Sequence, residues 1–245
     1  MKTLIIIPSR LSATRLPGKP LLKINGKSII SHVFKRAESA KIGEVIVAAE
    51  EQEIVNDIKN NDGNAILTSK NHKTGTDRIF EALNLLNKKD INFVMNIQGD
   101  EPDIDIEDIK NLDLKMKENN SKIGTLAAKI EKNEVYKNEN VVKVRIEESF
   151  VQNSFPLAKN FMRNTEEIDK SNIFHHIGIY CYEVQTLKKF VSLNQSKNEL
   201  RNKLEQLRAL DNDIEINVAF ANKSPIGVDT KEDYLAIKKI MEYKE

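Results

Sequence analysis

An apolar strand that runs directly into a basic loop is the feature that most constrains the fold of this chain. Residues 5–7 are all isoleucine, and residues 8–20 read PSRLSATRLPGKP, with cations at Arg10, Arg15 and Lys19. An unpaired buried cation costs more free energy than a fold can offset, so these side chains require solvent or an anionic ligand. Open α/β sheets bind ligands at the carboxyl ends of their strands. The sequence therefore predicts an α/β fold with a polyanion site after its first strand, most simply for a nucleoside triphosphate.

The Pro17-Gly18 pair predicts a tight turn inside this loop, with Gly18 at positive φ. Such a turn folds Lys19 back toward the two arginines, which can fork onto phosphate oxygens while the lysine adds a movable point charge. The glycine spacing excludes a Walker loop, and Pro20 prevents a helix from continuing through Lys19. The alternative is a solvated basic loop whose cations pair with surface acids.

Composition narrows the class of protein further. A chain of 245 residues with 38 basic and 37 acidic side chains has a net charge of +1, which argues against nucleic-acid binding. The lone cysteine excludes an internal disulfide and suits a reducing compartment. No apolar run approaches the roughly 20 residues of a membrane span, and the first residues lack a small-residue cleavage site. We therefore expect a soluble, cytoplasmic protein that does not bind membranes, with a single domain over residues 1–245.

The first half alternates apolar runs with helical patterns, which predicts parallel strands joined by crossover helices. Strands are predicted at residues 4–8, 44–48, 65–68 and 93–97. Helices are predicted from Ser28, from Thr76 as a possible N-cap, and over 105–119. The second half predicts strands at 123–130, 141–146, 176–182 and 214–220, an irregular stretch over 153–172, and helices over 188–210 and 231–243, the first broken near Asn194. We infer an α/β fold with a mixed sheet and a smaller inserted lobe at roughly 123–203.

The segment after the fourth predicted strand carries a candidate metal ligand. Residues 94–102 read VMNIQGDEP, so an apolar strand again ends in polar groups at the same edge of the sheet. Gly99 permits close approach of the backbone, and Asp100 projects a carboxylate where a triphosphate would bring magnesium. The alternative is an ordinary Gly-Asp turn. Glu101 and Pro102 are interpreted as residues that end the strand and shape the loop.

Two further segments lie at predicted helix starts. Asp229 is either a second metal carboxylate or a turn residue before the last helix, which Thr230 can cap with Asp233 at capping-box spacing. Residues 74–78 (TGTDR) begin another helix, whose free amides favour an anion or a nucleobase carbonyl. The alternative there is a plain cap in which Asp77 complements the helix dipole, although Arg78 favours a ligand.

The remaining candidates lie in the second half of the chain. His176, Tyr180 and Tyr182 share one face of a predicted strand, where His176 and Tyr180 could bind a polyhydroxy substrate. Adjacent His175 points to the opposite face, so the two histidines cannot chelate one metal. Residues 204–208 (LEQLR) read as a surface helix. Cys181 is interpreted as a buried structural thiol.

These segments together resemble the 3-deoxy-manno-octulosonate (Kdo) cytidylyltransferase family. The resemblance covers residues 7 to about 235 and rests on six motifs in the family's order: residues 8–21, 74–78, 98–102, 176–182, 204–208 and 227–230. It implies a Rossmann-like nucleotide-diphospho-sugar transferase fold with a mixed, mainly parallel sheet, helices on both faces and a small lobe that forms a homodimer. It also implies that CTP and Kdo are joined, with Mg²⁺, to give CMP-Kdo and pyrophosphate for lipopolysaccharide synthesis.

The resemblance also implies roles for single residues. Those near the nucleotide are Pro8, Ser9, Arg10, Lys19, Thr76, Arg78 and Gln98. Those near the sugar acid are Arg15, Gln98, His176, Tyr180, Glu205 and Gln206. Asp100 and Asp229 are implied to bind magnesium and, with Arg10 and Lys19, to form the catalytic group.

Two departures from the family pattern leave the sugar acid open. Residues 151–159 (VQNSFPLAK) lack the arginine that would meet the sugar carboxylate, so that arginine is either missing or supplied by Lys159 or Arg163. His175 also stands where an arginine is common. The alternatives are a cytidylyltransferase for 8-amino-Kdo or another 2-keto sugar acid, a sugar-1-phosphate nucleotidyltransferase, and a non-catalytic nucleotide-binding module. The pair of aspartates argues against the last, because a binding module needs no paired metal carboxylates.

Overall fold

The computed structural model describes residues 1–12, 14–147, 154–165 and 170–243. These residues form two compact units, one of Met1–Ile109 with Pro225–Glu245 and one of Lys110–Ser224. No helix in the described residues is long and apolar enough to cross a membrane.

Strands alternate with helices through most of the described chain. The strands are β1 (Thr3–Ser9), β2 (Lys23–Ile24), β3 (Lys27–Ser28), β4 (Gly43–Ala49), β5 (Ala65–Leu67), β6 (Phe93–Asn96), β7 (Ile123–Ala128), β8 (Lys143–Ile146), β9 (Ala158–Met162), β10 (Ile173–Glu183) and β11 (Ile216–Phe220). The helices are α1 (Ile29–Ser39), α2 (Gln52–Asn60), α3 (Gly75–Leu86), α4 (Ile106–Asn119), α5 (Val184–Ser192), α6 (Lys197–Asn202), α7 (Leu207–Leu210) and α8 (Lys231–Glu242).

The first unit is built on a parallel sheet with β1 at its centre. β1 pairs with β4 on one side and β6 on the other, and β4 pairs with β5, all in parallel. Residues Leu4 to Ile7 of β1 are fully buried, as expected for a strand covered on both faces. Ile6 lies opposite both Ile46 and Asn96, so the carboxyl ends of β1, β4 and β6 meet at one edge. The loops that follow these strands are thereby brought close together.

The second unit holds an antiparallel sheet with one parallel edge strand. β7 pairs antiparallel with β10 and parallel with β11, while β8 pairs antiparallel with β10 and β9. With the parallel strands of the first unit, this confirms the predicted α/β class with mixed strand pairing. β9 lies within the stretch that was predicted to be irregular, so that prediction was wrong. Its burial is limited to Ala158 and Phe161, which left too weak an alternation to recognise.

Other elements also differ from the sequence prediction. The helical stretch over 188–210 is three helices rather than two, because Lys203 adopts a left-handed conformation (φ 54°) that ends α6. Helix α2 was not predicted. The first strands, the helix that follows Ser28 and the final helix are confirmed to within two residues at their ends.

Candidate active site

A cavity of about 310 Å³ opens in the first unit, at the carboxyl ends of β1 and β6. Four segments contribute its walls: the loop after β1, the residues before α3, the loop after β6 and the turn before α8. Its lining residues are Pro8, Ser9, Arg10, Thr14, Arg15, Lys19, Pro20, His72, Lys73, Thr74, Gly75, Arg78, Gln98, Gly99, Asp100 and Asp229. The cavity is therefore lined by both cations and carboxylates.

Lys19 joins the two aspartates within this cavity. Its Nζ lies 2.7 Å from Asp100 Oδ2 and 3.3 Å from Asp229 Oδ1. Arg15 Nη2 lies 3.0 Å from the other oxygen of Asp229. The Lys19 side chain is only 13% exposed, so its charge is held mainly by these carboxylates. Two aspartates that lie 129 positions apart in sequence thus converge on one ammonium group.

The predicted turn at Gly18 positions Lys19. Gly18 has φ 70° and ψ 8°, the left-handed conformation that glycine adopts without steric cost. Its N–H donates to the Leu11 carbonyl at 3.1 Å and closes the loop, and a single 3-10 turn follows over Lys19–Leu21. Buried Pro20 anchors that turn. The lysine therefore projects from a fixed backbone.

Close packing behind the loop after β6 positions Asp100. A Cβ atom at Gly99 would lie 3.1 Å from the Pro8 carbonyl oxygen and 2.9 Å from Ile30 Cδ1. Only glycine allows the loop to approach β1 this closely. The Asp100 carbonyl then accepts a hydrogen bond from Val228 N–H at 2.9 Å, which ties this loop to the turn that carries Asp229.

Thr230, not Asp229, caps helix α8. Thr230 Oγ1 accepts from Asp233 N–H at 3.2 Å, and Asp233 Oδ2 accepts from the N–H groups of Thr230 and Asp229 at 2.9 and 3.1 Å. This confirms the predicted capping box and leaves the Asp229 carboxylate free of a capping role. Fully buried Val228 fixes the same turn through an apolar cluster with Ile24, Ile29 and Ile237.

Glu101 is a third carboxyl group beside the two aspartates. Burial, together with the charges of Asp100 and Asp229, raises its pKa to about 8. Its Oε2 atom is buried and has no hydrogen-bond partner among the described residues. Glu101 is therefore mainly protonated at pH 7, because a third negative charge would be both desolvated and repelled.

The wall in front of α3 differs from the prediction at two residues. Thr74, not Thr76, is the N-cap: its Oγ1 accepts from Asp77 N–H at 3.1 Å. Thr76 is buried in the first turn and does not line the cavity. Arg78 lines the cavity, but its guanidinium donates to Glu50 Oε2, Thr68 Oγ1 and the Ser69 carbonyl at 2.6, 2.7 and 3.0 Å.

In the second unit, His176 and Tyr180 form a buried polar cluster. His176 Nε2 lies 3.0 Å from both Thr125 Oγ1 and the Tyr180 hydroxyl. The rings of Tyr180 and Tyr182 stack with centroids 5.8 Å apart, as expected for residues on one strand face. Burial lowers the pKa of His176 to about 3, so its imidazole is neutral at pH 7. Burial likewise raises the pKa of Tyr180, and the nearby charges of Tyr182 and Glu205 add to this effect.

Glu205 and Gln206 lie in the turn between α6 and α7, not on a continuous surface helix. Arg208 anchors this turn through hydrogen bonds of 2.8 and 2.6 Å to Glu199, with its guanidinium 4.7 Å from the ring centre of Phe190. Both Arg208 and Glu199 are buried, which is tolerated because the two charges pair in a bidentate geometry.

Comparison with known proteins places the chain in a family. Residues 4–216 match the model of the cytidylyltransferase family. A protein of Thermodesulfovibrio yellowstonii, named 3-deoxy-manno-octulosonate cytidylyltransferase, is 41% identical over 98% of both chains. A protein of the same name from Brucella canis is 41% identical over 95% of this chain and 93% of its own. This chain belongs to the 3-deoxy-manno-octulosonate cytidylyltransferase family. The family that the sequence motifs resemble is thereby confirmed.

Solved structures support both the family and the fold of this cytidylyltransferase. A CMP-2-keto-3-deoxy-manno-octonic acid synthetase solved in complex with CTP has a TM-score of 0.90 and 31% identity, covering all of both chains. A UDP-glucose pyrophosphorylase has a TM-score of 0.72 at 15% identity, also over the full length of both, and so shares the fold alone. The predicted Rossmann-like nucleotidyltransferase fold is confirmed.

Most of the residues predicted for this cytidylyltransferase site do line the cavity. They are Pro8, Ser9, Arg10, Arg15, Lys19, Arg78, Gln98, Asp100 and Asp229. Sequence reasoning missed His72 and Lys73, which carried no signal beyond their position just before a helix. Thr74 did carry a signal in the sequence, because Asp77 follows it at the three-residue spacing of an N-cap.

The region that departs from the family pattern is only partly described, since residues 151–153 lie outside the described chain. Lys159 Nζ lies 2.5 Å from Glu147 Oε1. Arg163 donates to three backbone carbonyls, those of Glu139, Asn202 and Lys203, at 3.0 to 3.1 Å. Arg163 therefore has a structural role here, and a role for it as the replacement arginine would require these bonds to break.

Proposed function

We propose that this protein is a Kdo cytidylyltransferase, which joins CTP to Kdo and releases pyrophosphate. The observation that carries the proposal is the Lys19 ammonium between Asp100 and Asp229, in a cavity lined by Arg10 and Arg15. A cavity that presents both cations and carboxylates suits a ligand that is itself a phosphate chain with a divalent metal. The comparisons show the family, and this geometry supports the proposed reaction of a triphosphate.

The loop after β1 would bind the triphosphate. Arg10, Arg15 and Lys19 present guanidinium forks and an ammonium to phosphate oxygens. Pro8, Ser9 and Gln98 line the same cavity and are proposed to lie near the cytidine. Arg78 is proposed to shape the nucleotide wall rather than to bind through its guanidinium, because three hydrogen bonds already engage that group.

The carboxylate pair fits a magnesium ion. Asp100 and Asp229 already converge on one positive charge, and carboxylate oxygens are the hard ligands that Mg²⁺ prefers. Among the described residues, no group of three or more His, Cys, Asp or Glu could hold a metal. Mg²⁺ is usually bound by one or two carboxylates together with substrate phosphates, and the two aspartates would suit that mode. When bound, the metal would neutralise charge on the phosphoryl oxygens.

Catalysis would then come from positioning and charge. The anomeric hydroxyl of the sugar acid attacks the α-phosphorus of CTP and forms an oxygen–phosphorus bond. The bond from that phosphorus to the leaving pyrophosphate breaks, and the hydroxyl proton passes to the pyrophosphate or to solvent. Arg10 and Lys19 stabilise the negative charge that develops on the phosphoryl and leaving oxygens. Lys19 must leave at least one aspartate to do so, since a divalent cation and the ammonium compete for the same oxygens.

The residues proposed to meet the sugar acid carry guanidinium, amide, imidazole, hydroxyl and carboxyl groups. These are Arg15, Gln98, His176, Tyr180, Glu205 and Gln206. A neutral His176 can exchange hydrogen bonds with sugar hydroxyls without adding charge, which its lowered pKa favours. A homodimer, a cytoplasmic location and a place in lipopolysaccharide synthesis complete the proposal. They are supported by the family resemblance and, for location, by a buried free Cys181 that suits a reducing compartment.

The test is release of pyrophosphate from CTP and Kdo in the presence of Mg²⁺. Parallel reactions with UTP, with 8-amino-Kdo and with other 2-keto sugar acids define both specificities. We expect turnover only with CTP and an acceptor of the Kdo class. Turnover with a sugar 1-phosphate in place of the sugar acid, or none with any acceptor, would contradict the proposal.

A further inference from the structure

The segment of residues 69–74 forms one wall of the candidate nucleotide cavity. His72, Lys73 and Thr74 line the cavity directly. The segment has no regular secondary structure and lies between β5 and α3. Six residues without a ladder of backbone hydrogen bonds need side-chain contacts to hold one conformation, because each ordered residue loses conformational entropy.

Glu81, one and a half turns into α3, makes such contacts. Its Oε2 atom accepts from Ser69 N–H at 2.8 Å and lies 2.6 Å from His72 Nε2. One carboxylate oxygen thus fixes both the first residue of the segment and a cavity-lining side chain. Glu81 itself does not line the cavity. Burial by itself would raise the pKa of Glu81, but the bonds from His72 and Ser69, together with the charges of His72 and Arg78, lower it overall.

Arg78, also in α3, contacts the same segment. Its guanidinium donates to the Ser69 carbonyl, and the Thr74 hydroxyl fixes the far end as the cap of α3. We propose that Glu81 is a positioning residue for the nucleotide, which holds the wall of residues 69–74 in the conformation that receives CTP. This inference rests on the proposed function and assigns a role to a residue that none of the sequence motifs singled out.

The physical consequence is a split between binding and chemistry. Without Glu81 the segment samples more conformations, and CTP must order it on binding, which weakens affinity. The reacting phosphorus is handled by Lys19 and the aspartates, none of which contacts Glu81 in the described structure. We therefore expect KM for CTP to rise while kcat stays close to the wild-type value.

The experiment compares three substitutions of Glu81 with a matched control, measuring CTP binding by calorimetry and steady-state pyrophosphate release. Glu81→Leu removes both bonds and should weaken CTP binding about tenfold, the equivalent of one charge-assisted hydrogen bond. Glu81→Asp keeps the charge but cannot reach both partners, so it should weaken binding by a smaller factor and keeps the test valid if the leucine variant fails to fold. Glu81→Gln retains an acceptor for Ser69 N–H and should restore most of the affinity.

Glu183→Leu is the control. Glu183 has a similar exposure (27%, against 30% for Glu81) and also binds two partners, here the side chains of Thr186 and Lys122, but it lies in the second unit and does not line the cavity. It should lose stability without losing CTP affinity. If Glu81→Leu and Glu81→Asp bind CTP as tightly as the wild type, or if kcat falls while KM is unchanged, the inference is wrong and the proposed function stands. Failure of the wild type itself to bind CTP would overturn both.

Discussion

Asp100 is the single residue on which the proposed chemistry depends most. It accepts from Lys19 through its side chain and from Val228 through its carbonyl, so it connects the basic loop to the turn that carries Asp229. Asp100→Ala keeps the backbone bond but removes the carboxylate. We expect turnover to fall by a factor equivalent to about 2.7–4 kcal/mol of barrier, with the fold intact. Pyrophosphate release and circular dichroism measure the two effects.

The control for this substitution is Asp90→Ala, which also removes an aspartate that pairs with a lysine, here exposed Lys2. It should leave turnover unchanged. Wild-type activity in Asp100→Ala would refute the proposed metal and catalytic role of this carboxylate.

Lys19 gives a second residue-scale prediction, because it occupies the oxygens that a metal would need. Lys19→Met removes the ammonium and leaves Asp100 and Asp229 without their shared cation. Manganese, a probe for the magnesium site, should then bind about tenfold more tightly in the absence of nucleotide, while CTP binds more weakly. Electron paramagnetic resonance of free Mn²⁺ and CTP calorimetry measure the two effects. Unchanged affinity for both ligands would show that Lys19 neither competes with the metal nor binds the nucleotide. Lys2→Met serves as the control.

At the scale of elements, the capping box of α8 links stability to the site. Thr230→Ala removes the acceptor for Asp233 N–H, which should cost about 1 kcal/mol of stability. It also loosens the turn in which Asp229 N–H donates to Asp233, so KM for CTP should rise severalfold. Ser196→Ala removes an equivalent capping box at α6 and is the matched control. Urea unfolding should show similar losses of stability in both variants, and only Thr230→Ala should change KM for CTP. An equal KM in the two variants would show that the cap of α8 does not affect the site.

Elements were predictable from the sequence where burial or capping left a local signal. β1 and β6 contain the buried apolar runs LIII and FVM, and α1 is preceded by Ser28, whose side chain accepts from Ser31 N–H. α2 was missed because Glu51, its N-cap residue, makes no side-chain capping bond. β9 was missed because its strand character depends on pairing with β8, which no local pattern reveals.

In the candidate site, too, some features were predictable from the sequence and others were not. Side chains that follow strand ends, such as Lys19 and Asp100, were predictable because topology alone brings strand ends together. The partners of Arg78 were not, since Glu50 and Thr68 reach it from other loops of the fold. Whether an arginine binds a ligand or holds a wall is decided by such distant partners, and sequence spacing does not record them.

For the molecule as a whole, the local arrangement of charged residues matters more than the net charge. A chain with 38 basic and 37 acidic residues has little net field, so attraction of an anionic nucleotide must come from the local cluster of Arg10, Arg15 and Lys19.

The stability of the fold in acid, by contrast, depends on groups that are buried in their neutral form. His176 is the clearest of these, because burial lowers its pKa from 6.5 to about 3.

The last prediction concerns this dependence of stability on pH. As pH falls below 6.5, the unfolded chain binds a proton at His176 and the folded chain does not, so folding loses free energy until the pH reaches about 3. His176→Gln has no such proton. The free energy of unfolding of the wild type, relative to the variant, should therefore decline by about 2 kcal/mol between pH 7 and pH 5. Urea unfolding at both pH values measures this change. At pH 7 both states of the wild type are mainly neutral at this position, so the difference there reports changes in packing and hydrogen bonding rather than protonation. Parallel pH profiles for the two proteins would mean that His176 is accessible to protons in the folded state, and the neutral imidazole proposed to meet the sugar acid would be wrong.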